Sequence, residues 1–261
     1  MGSSIRQTMT PAISTQDLGK IYRVGFFMRR VEGLRDLNLT VNPGEAFGFI
    51  GPNGAGKTTT IKILMGLQAA TSGSAQIFGT AVTDSSARRR VGFLPERPYF
   101  YEHLSAREVL HFYGQLFDME ADHRQARIEM LLERVKLTRF ADVTLAKYSK
   151  GMLQRVGLCQ ALLHDPDLIV LDEPMSGLDP VGRALVRDLI LEQREQGKTV
   201  FFSSHILSDV EAICDRVAIL VGGELRDCGP LADVVADRTD LEAVLLGEMS
   251  KVTDESALGV L

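Results

Sequence analysis

Gly51-Pro52-Asn53-Gly54-Ala55-Gly56-Lys57-Thr58-Thr59 fits the pattern G-x-x-x-x-G-K-[ST] of a phosphate-binding loop. Its flanks give the match weight. Ala46-Phe47-Gly48-Phe49-Ile50 reads as a short buried strand before the loop. After it, Ile61, Leu64, Met65 and Leu67 recur at helical spacing. Glycines let the backbone turn tightly and bring its N–H groups close to phosphate oxygens. The positive end of the new helix points at the same anion. Lys57 can reach the β- and γ-phosphates, and the Thr58 hydroxyl can bind Mg²⁺. Asn53, Gly54, Ala55, Gly56 and Thr59 complete the nucleotide-binding stretch.

A second carboxylate-bearing stretch suits the first. Leu168-Ile169-Val170-Leu171 is a continuous apolar run, as in a strand buried on both faces, and it delivers Asp172-Glu173-Pro174. A phosphate-loop enzyme needs a carboxylate there for Mg²⁺, which Asp172 suits. Glu173 suits the acceptance of a proton from an attacking water. Taken alone, two acids at a strand end could equally open a surface loop.

The 261 residues allow one large domain or two small ones. A net charge of −5 argues against nucleic-acid binding, which usually uses a basic face. Cys159, Cys214 and Cys228 are scattered without metal spacing, which suits free thiols in a reducing compartment. No stretch is long and apolar enough to cross a membrane, and the polar start is not a signal peptide. Arg6 defeats a myristoylation motif at Met1-Gly2. Any membrane role is therefore expected through a partner.

Residues 1–14 read as a loose tail and 15–44 as β-rich, with Leu34, Leu37, Leu39 and Val41 partly alternating. Asn42-Pro43-Gly44 is a turn. Ser74 to Phe78 and Val91 to Leu94 read as strands. Helices then dominate from about 97 to 159, as if inserted in an α/β domain. Ser105-Ala106-Arg107-Glu108 is a capping box, a second helix is expected over Asp122 to Lys136, and a third begins near Ser149. Asp179-Pro180 opens a later helix that Gly197 closes. Thr199 to Phe202 and Val217 to Val221 are strands, and Gly222-Gly223 is a hairpin turn. The segment 227–261 reads as a short C-terminal extension.

Further motifs give the chain a family resemblance. Ser176-Gly177-Leu178-Asp179 resembles a D-loop and Ser203-Ser204-His205 a switch histidine. Tyr148-Ser149-Lys150-Gly151-Met152, with Gln154-Arg155, resembles a signature motif. With the phosphate loop and Asp172-Glu173-Pro174, the chain resembles the nucleotide-binding subunit of an ATP-binding cassette (ABC) transporter over about residues 15–225. The resemblance implies an α/β fold: a P-loop NTPase core with a mostly parallel sheet, an N-terminal antiparallel β subdomain and an inserted α-helical subdomain. It implies an ATPase domain over 15–226.

The resemblance also assigns roles. The cofactors are ATP and Mg²⁺. ATP is favoured over GTP because no Asn-Lys-x-Asp motif is present. Tyr22 falls where the family stacks an aromatic on adenine, although a core tyrosine is the other reading. Ser149, the Gly151 backbone and Asp179 would face ATP held by the partner subunit. His205 would hold the γ-phosphate and, with Glu173, the water. One phosphate loop per chain implies a second nucleotide-binding subunit, either another copy or a hetero-partner. The other partner is a polytopic membrane permease, which places the chain in the cytoplasm, on the inner face of the cell membrane. A non-transport ABC ATPase acting on a soluble or nucleic-acid partner is the rival reading.

Two positions depart from the family pattern. Glu96 replaces the usual Q-loop glutamine and could still contact Mg²⁺. Lys150 and Met152 replace Gly and Gln in the signature, as in exporters with a separate permease. Glu96 to Leu104, with Pro98, Tyr99, Phe100 and Tyr101, would line a permease groove or pack on the helical insert. Arg88-Arg89-Arg90 and Arg29-Arg30 are expected to be solvated. His103, His111, His123 and His164 are expected to be structural or surface residues.

Overall fold

The computed structural model describes residues 9–25, 28–236 and 240–258, with side chains to 250. Two strands open the chain, β1 (Ile13–Val24) and β2 (Arg29–Val41), paired antiparallel. Next comes β3 (Ala46–Ile50), whose five residues are all buried. The phosphate loop follows and leads into α1 (Lys57–Leu64), then β4 (Ser72–Ile77), β5 (Thr80–Ala81) and β6 (Val91–Leu94). The helical block holds α2 (Ala106–Leu116), α3 (Ala121–Arg134) and α4 (Lys150–Leu162). The chain then alternates through β7 (Leu168–Asp172), α5 (Pro180–Glu195), β8 (Thr199–Ser204), α6 (Leu207–Ile213) and β9 (Arg216–Val221). It ends with β10 (Glu224–Pro230), α7 (Leu231–Val235) and α8 (Leu241–Leu258).

Two sheets result. One is antiparallel, in the order β2-β1-β4-β5. The other runs β10-β9-β3-β8-β7-β6, parallel except for the β9–β10 hairpin at one edge. Alternate residues of its strands face opposite layers, as the pleat requires. Phe47, Phe49, Leu168, Val170 and Phe201 pack with α1 and the antiparallel sheet. Ala46, Ile50, Ile169, Leu171 and Phe202 pack with the helical block, α5 and α6. Strands covered on both faces must be apolar throughout, which explains the continuous runs in the sequence.

The caps lie where the short-range patterns place them. Ser105 and Glu108 form the reciprocal capping box of α2. Ser149 caps α4, and Asp179 with Pro180 starts α5. Other boundaries shift. The expected 1–14 tail ends early, because Ala12 and Ile13 are fully buried and β1 begins at Ile13. Helix α3 starts at Ala121, since Glu120 supplies the cap. A boundary at 227 cuts through β10, and Val234, Leu241 and Val244 lie in the core, so this region is packed against the main sheet. The basic run divides too. Arg88 is half-buried and donates to the Val82 carbonyl, while Arg89 and Arg90 are exposed, Arg90 pairing with Asp167 over the Phe78 ring. His164 stacks on Phe117, with ring centroids 3.7 Å apart.

Candidate functional site

The phosphate loop joins the carboxyl end of β3 to α1, which places it at the rim of the parallel sheet. Its glycines answer close approaches. At Gly51 a Cβ would lie 2.1 Å from the Leu220 carbonyl oxygen, and at Gly56 (φ 107°) it would lie 2.6 Å from that of Gly33. Neighbouring strands bring the carboxylates to the same rim. The register sets Asp172 of β7 opposite Ser203 of β8. One cleft of about 560 Å³ collects Tyr22, the loop from Asn53 to Thr59, Glu96, Glu173 and His205.

Inside this cleft the polar side chains form one network. Lys57 is 6% exposed; its ammonium donates to the carbonyls of Gly51 (2.7 Å) and Pro52 (3.2 Å) and stands 3.6 Å from Glu173. Burial pushes the Lys57 ammonium below its usual pKa, opposed by Glu173. The Thr58 hydroxyl donates to Asp172 Oδ1 at 3.3 Å, and Ser203 donates to the same oxygen at 2.7 Å. Burial raises the Asp172 carboxyl above its usual value, and those two donors partly oppose it. Glu173 Oε2 lies 2.7 Å from His205 Nδ1. An ionised carboxylate only accepts, so Nδ1 carries the proton in that contact. Glu173 also sits at φ 51°, the left-handed region that costs a non-glycine residue about 1 kcal/mol or more.

Tyr22 stands at one end of the cleft. Its hydroxyl is 2.9 Å from Thr59 Oγ1 and donates to Gln68 at 3.2 Å. Its ring lies so close over Gly33 that a Cβ there would be 2.5 Å from a ring carbon. Sequence reasoning missed Val31, Glu32 and Gly33 as cleft residues. A lone glycine inside a strand was the available signal, since it marks close approach. It also missed Ser203 as a bridge, which becomes visible only through the β7–β8 register.

Among the described residues, no group of three or more His, Cys, Asp or Glu is arranged to hold a metal ion. A hydroxyl backed by a carboxylate, Thr58 with Asp172, nevertheless fits Mg²⁺, which keeps several waters and takes phosphate oxygens. Glu96 stands half exposed on the cleft wall, 3.9 Å from Arg97.

Three of the expected nucleotide-binding residues lie elsewhere. Ser149, Gly151 and Asp179 line a second cleft of about 360 Å³ that shares no lining residue with the first. There Ser149 accepts from Met152 N–H (3.2 Å) and Asp179 from Gly182 N–H (2.7 Å), so both side chains cap helices. Two helix N-termini and the cations Lys136, Lys150 and Arg155 make this cleft favourable to an anion. Lys150 reaches over Gly177, where a Cβ would sit 2.7 Å from its nitrogen. Buried Gln154 links the two regions by donating to the Pro174 carbonyl at 3.3 Å.

A third, larger groove of about 860 Å³ runs past Leu67, Arg88, Phe93, Tyr99, Leu116 and Phe117. The aromatic stretch beside it divides: Phe100 enters the core, whereas Tyr99 is 87% exposed. Packing against the core therefore accounts for Phe100 and not for Tyr99. The walls of the groove mix aromatic and apolar residues with Arg88, Arg89, Asp118 and Gln160.

Residues 34–176 match the family model described as ABC transporter. The chain is 50% identical over 250 residues to an uncharacterized ABC transporter ATP-binding protein of Synechocystis sp., covering 95% of this chain and 69% of that protein. It is 41% identical over 222 residues to the bacitracin transport ATP-binding protein of Bacillus licheniformis, covering 84% and 70% respectively. A solved dimer of an ATP-binding cassette, in a post-hydrolysis state bound to ADP and Pi, superposes with a TM-score of 0.77 at 26% identity. That match covers 84% of this chain and 98% of the solved one.

Proposed function

The chain belongs to the ABC transporter family as an ATP-binding, ATP-hydrolysing subunit, and from that premise we propose that it pairs with a second copy around two ATP molecules to drive a separate export permease. One observation carries the pairing. The phosphate loop with its carboxylates occupies one cleft, and the signature residues with Asp179 occupy another. Each holds half of what a nucleotide needs. A two-fold pair lays the first cleft of one copy against the second cleft of the other, making two complete sites.

In that arrangement the loop N–H groups and Lys57 bind the β- and γ-phosphates, and the Tyr22 ring stacks on adenine. Thr58, backed by Asp172, would hold Mg²⁺, which supplies charge neutralisation on the phosphate oxygens. Glu173 accepts the proton of the attacking water, and His205 holds Glu173 in place and contacts the γ-phosphate. Ser149 and the Gly151 N–H close the site from the partner copy. ATP binding favours the closed pair and hydrolysis reopens it. The groove at Tyr99, Leu116 and Phe117 takes a permease segment. No helix among the described residues is long and apolar enough to cross a membrane, which fits a subunit that reaches the bilayer through a partner. Export is supported by the signature variants Lys150 and Met152.

The test is purification from detergent-solubilised membranes of the native cell. A polytopic membrane protein in stoichiometric amount is the expected companion. Recovery of soluble partners or nucleic acid alone would overturn the transport reading and leave the ATPase chemistry standing.

A further inference from the structure

We propose that Ser203 is a positioning residue for ATP hydrolysis, one hydroxyl that sets both the Asp172 carboxylate and the Glu173 backbone. The proposal rests on the reading of Glu173 as the general base.

The geometry places Ser203 between the two acids. Its hydroxyl donates to Asp172 Oδ1 at 2.7 Å and accepts from the Glu173 N–H at 2.9 Å. Ser203 is 0% exposed, so water does not replace either bond. Its position follows from the sheet, because Ser203 is the register partner of Asp172 at the carboxyl ends of β7 and β8.

Glu173 then has to leave the strand sharply. Its φ of 51° is left-handed, which a non-glycine residue holds only when its surroundings over-determine it. Three contacts do so: Ser203 fixes the backbone N–H, the Ser176 N–H donates to the Glu173 carbonyl at 3.1 Å, and His205 Nδ1 fixes the carboxylate at 2.7 Å. Ser203 therefore acts on the base through its main chain, while His205 acts through its side chain. One oxygen thus ties the Asp172 side chain to the backbone N–H of the next residue. Lys57 completes the enclosure at 3.6 Å from Glu173 Oε1. Without the hydroxyl, a buried N–H loses its acceptor and Asp172 keeps only the longer Thr58 contact.

The nucleotide-binding atoms of the loop are not touched by Ser203. The expected signature is thus a loss in kcat with little change in KM, since a misplaced base affects the transition state more than ground-state binding.

Ser203→Ala, Ser203→Cys, Ser203→Thr and Glu173→Gln are to be compared by steady-state phosphate release, by fluorescent-ATP binding in the presence of a chelator, and by thermal melting. Cys keeps the volume but bonds weakly; Thr keeps the hydroxyl. Ala and Cys should lose about 10- to 100-fold in kcat, the effect of one charge-assisted hydrogen bond, with KM and chelator-state affinity within about threefold of the parent. Thr should recover most of the turnover. Should Ala fail to fold, the Cys–Thr contrast decides. Turnover within about twofold of the parent in folded Ala or Cys, or a folded Thr variant as slow as Cys, overturns the positioning role. Full turnover in Glu173→Gln instead overturns the underlying assignment of the base.

Discussion

The two clefts differ in what their polar side chains do. In the first, Lys57, Thr58, Asp172, Glu173, Ser203 and His205 are joined by contacts of 2.7–3.6 Å into one network spread over three elements and the two loops that follow β7 and β8. In the second, Ser149 and Asp179 each bond only a backbone N–H three residues further on, in their own helix start. A network that ties strands together fixes the geometry of a reaction within a single chain. Two capped helix starts beside an open cleft fix only a direction of approach for an anion. Under the proposed pairing, the contrast separates what one chain supplies from what it needs of another: the chemistry is assembled in the first cleft, and the closure is left to a partner.

Breaking the first cleft should have the largest effect. Glu173→Gln is expected to lower turnover by about 10²–10⁴-fold, the usual share of a general base, and to accumulate an ATP-bound pair by size-exclusion chromatography. A variant that still turns over normally would move the base elsewhere. A middle-sized effect is expected in the second cleft. Ser149→Ala should slow hydrolysis by about tenfold through the loss of one phosphate contact, and cost about 1 kcal/mol of stability as a lost cap. Its single-subunit ATP affinity should stay as in the parent; a drop there would show that the clefts are not functionally separate.

The smallest effect concerns stability. The folded pKa of Asp172 is raised by burial, so the stability it contributes is present below its unfolded value and lost as pH rises through the folded one. Above that folded value, burial of the ionised carboxyl is therefore a cost. Asp172→Asn keeps an acceptor for Ser203 and Thr58 and should raise the melting temperature of the nucleotide-free protein by about 2–4 °C, with the gain shrinking near pH 4. An unchanged or lower melting temperature at pH 7 would show that the ionised network stabilises the fold.

What was readable in the sequence was local. The phosphate loop, the Ser105–Glu108 box and the Asp179-Pro180 start act over a few residues, so their pattern carries their geometry. Apolar runs such as Leu168 to Leu171 announced strands covered on both faces. The pairing of those strands was not readable, and Ser203 owes its place to pairing. Tyr99 and Phe100 are alike as residue types, yet the backbone turns one to solvent and the other to the core. β10 carries Arg226, Asp227, Gly229 and Pro230, a composition that hides a half-buried edge strand. Ser149 and Asp179 could be named as ATP contacts through the family resemblance, but their separation from Lys57 is a property of the fold.

The central strand has a consequence for how the protein is made. β3 hydrogen-bonds on one side to β8 and on the other to β9, strands that follow it by roughly 150 residues and more. At ribosomal rates of about 5–20 residues per second, Ala46–Ile50 waits about eight to thirty seconds for its neighbours. Through that interval an apolar strand has both edges open, which favours slow folding and exposes the nascent chain to aggregation. Destabilising substitutions in β8 or β9 should therefore lower the yield of soluble protein during synthesis more than the stability of the finished fold.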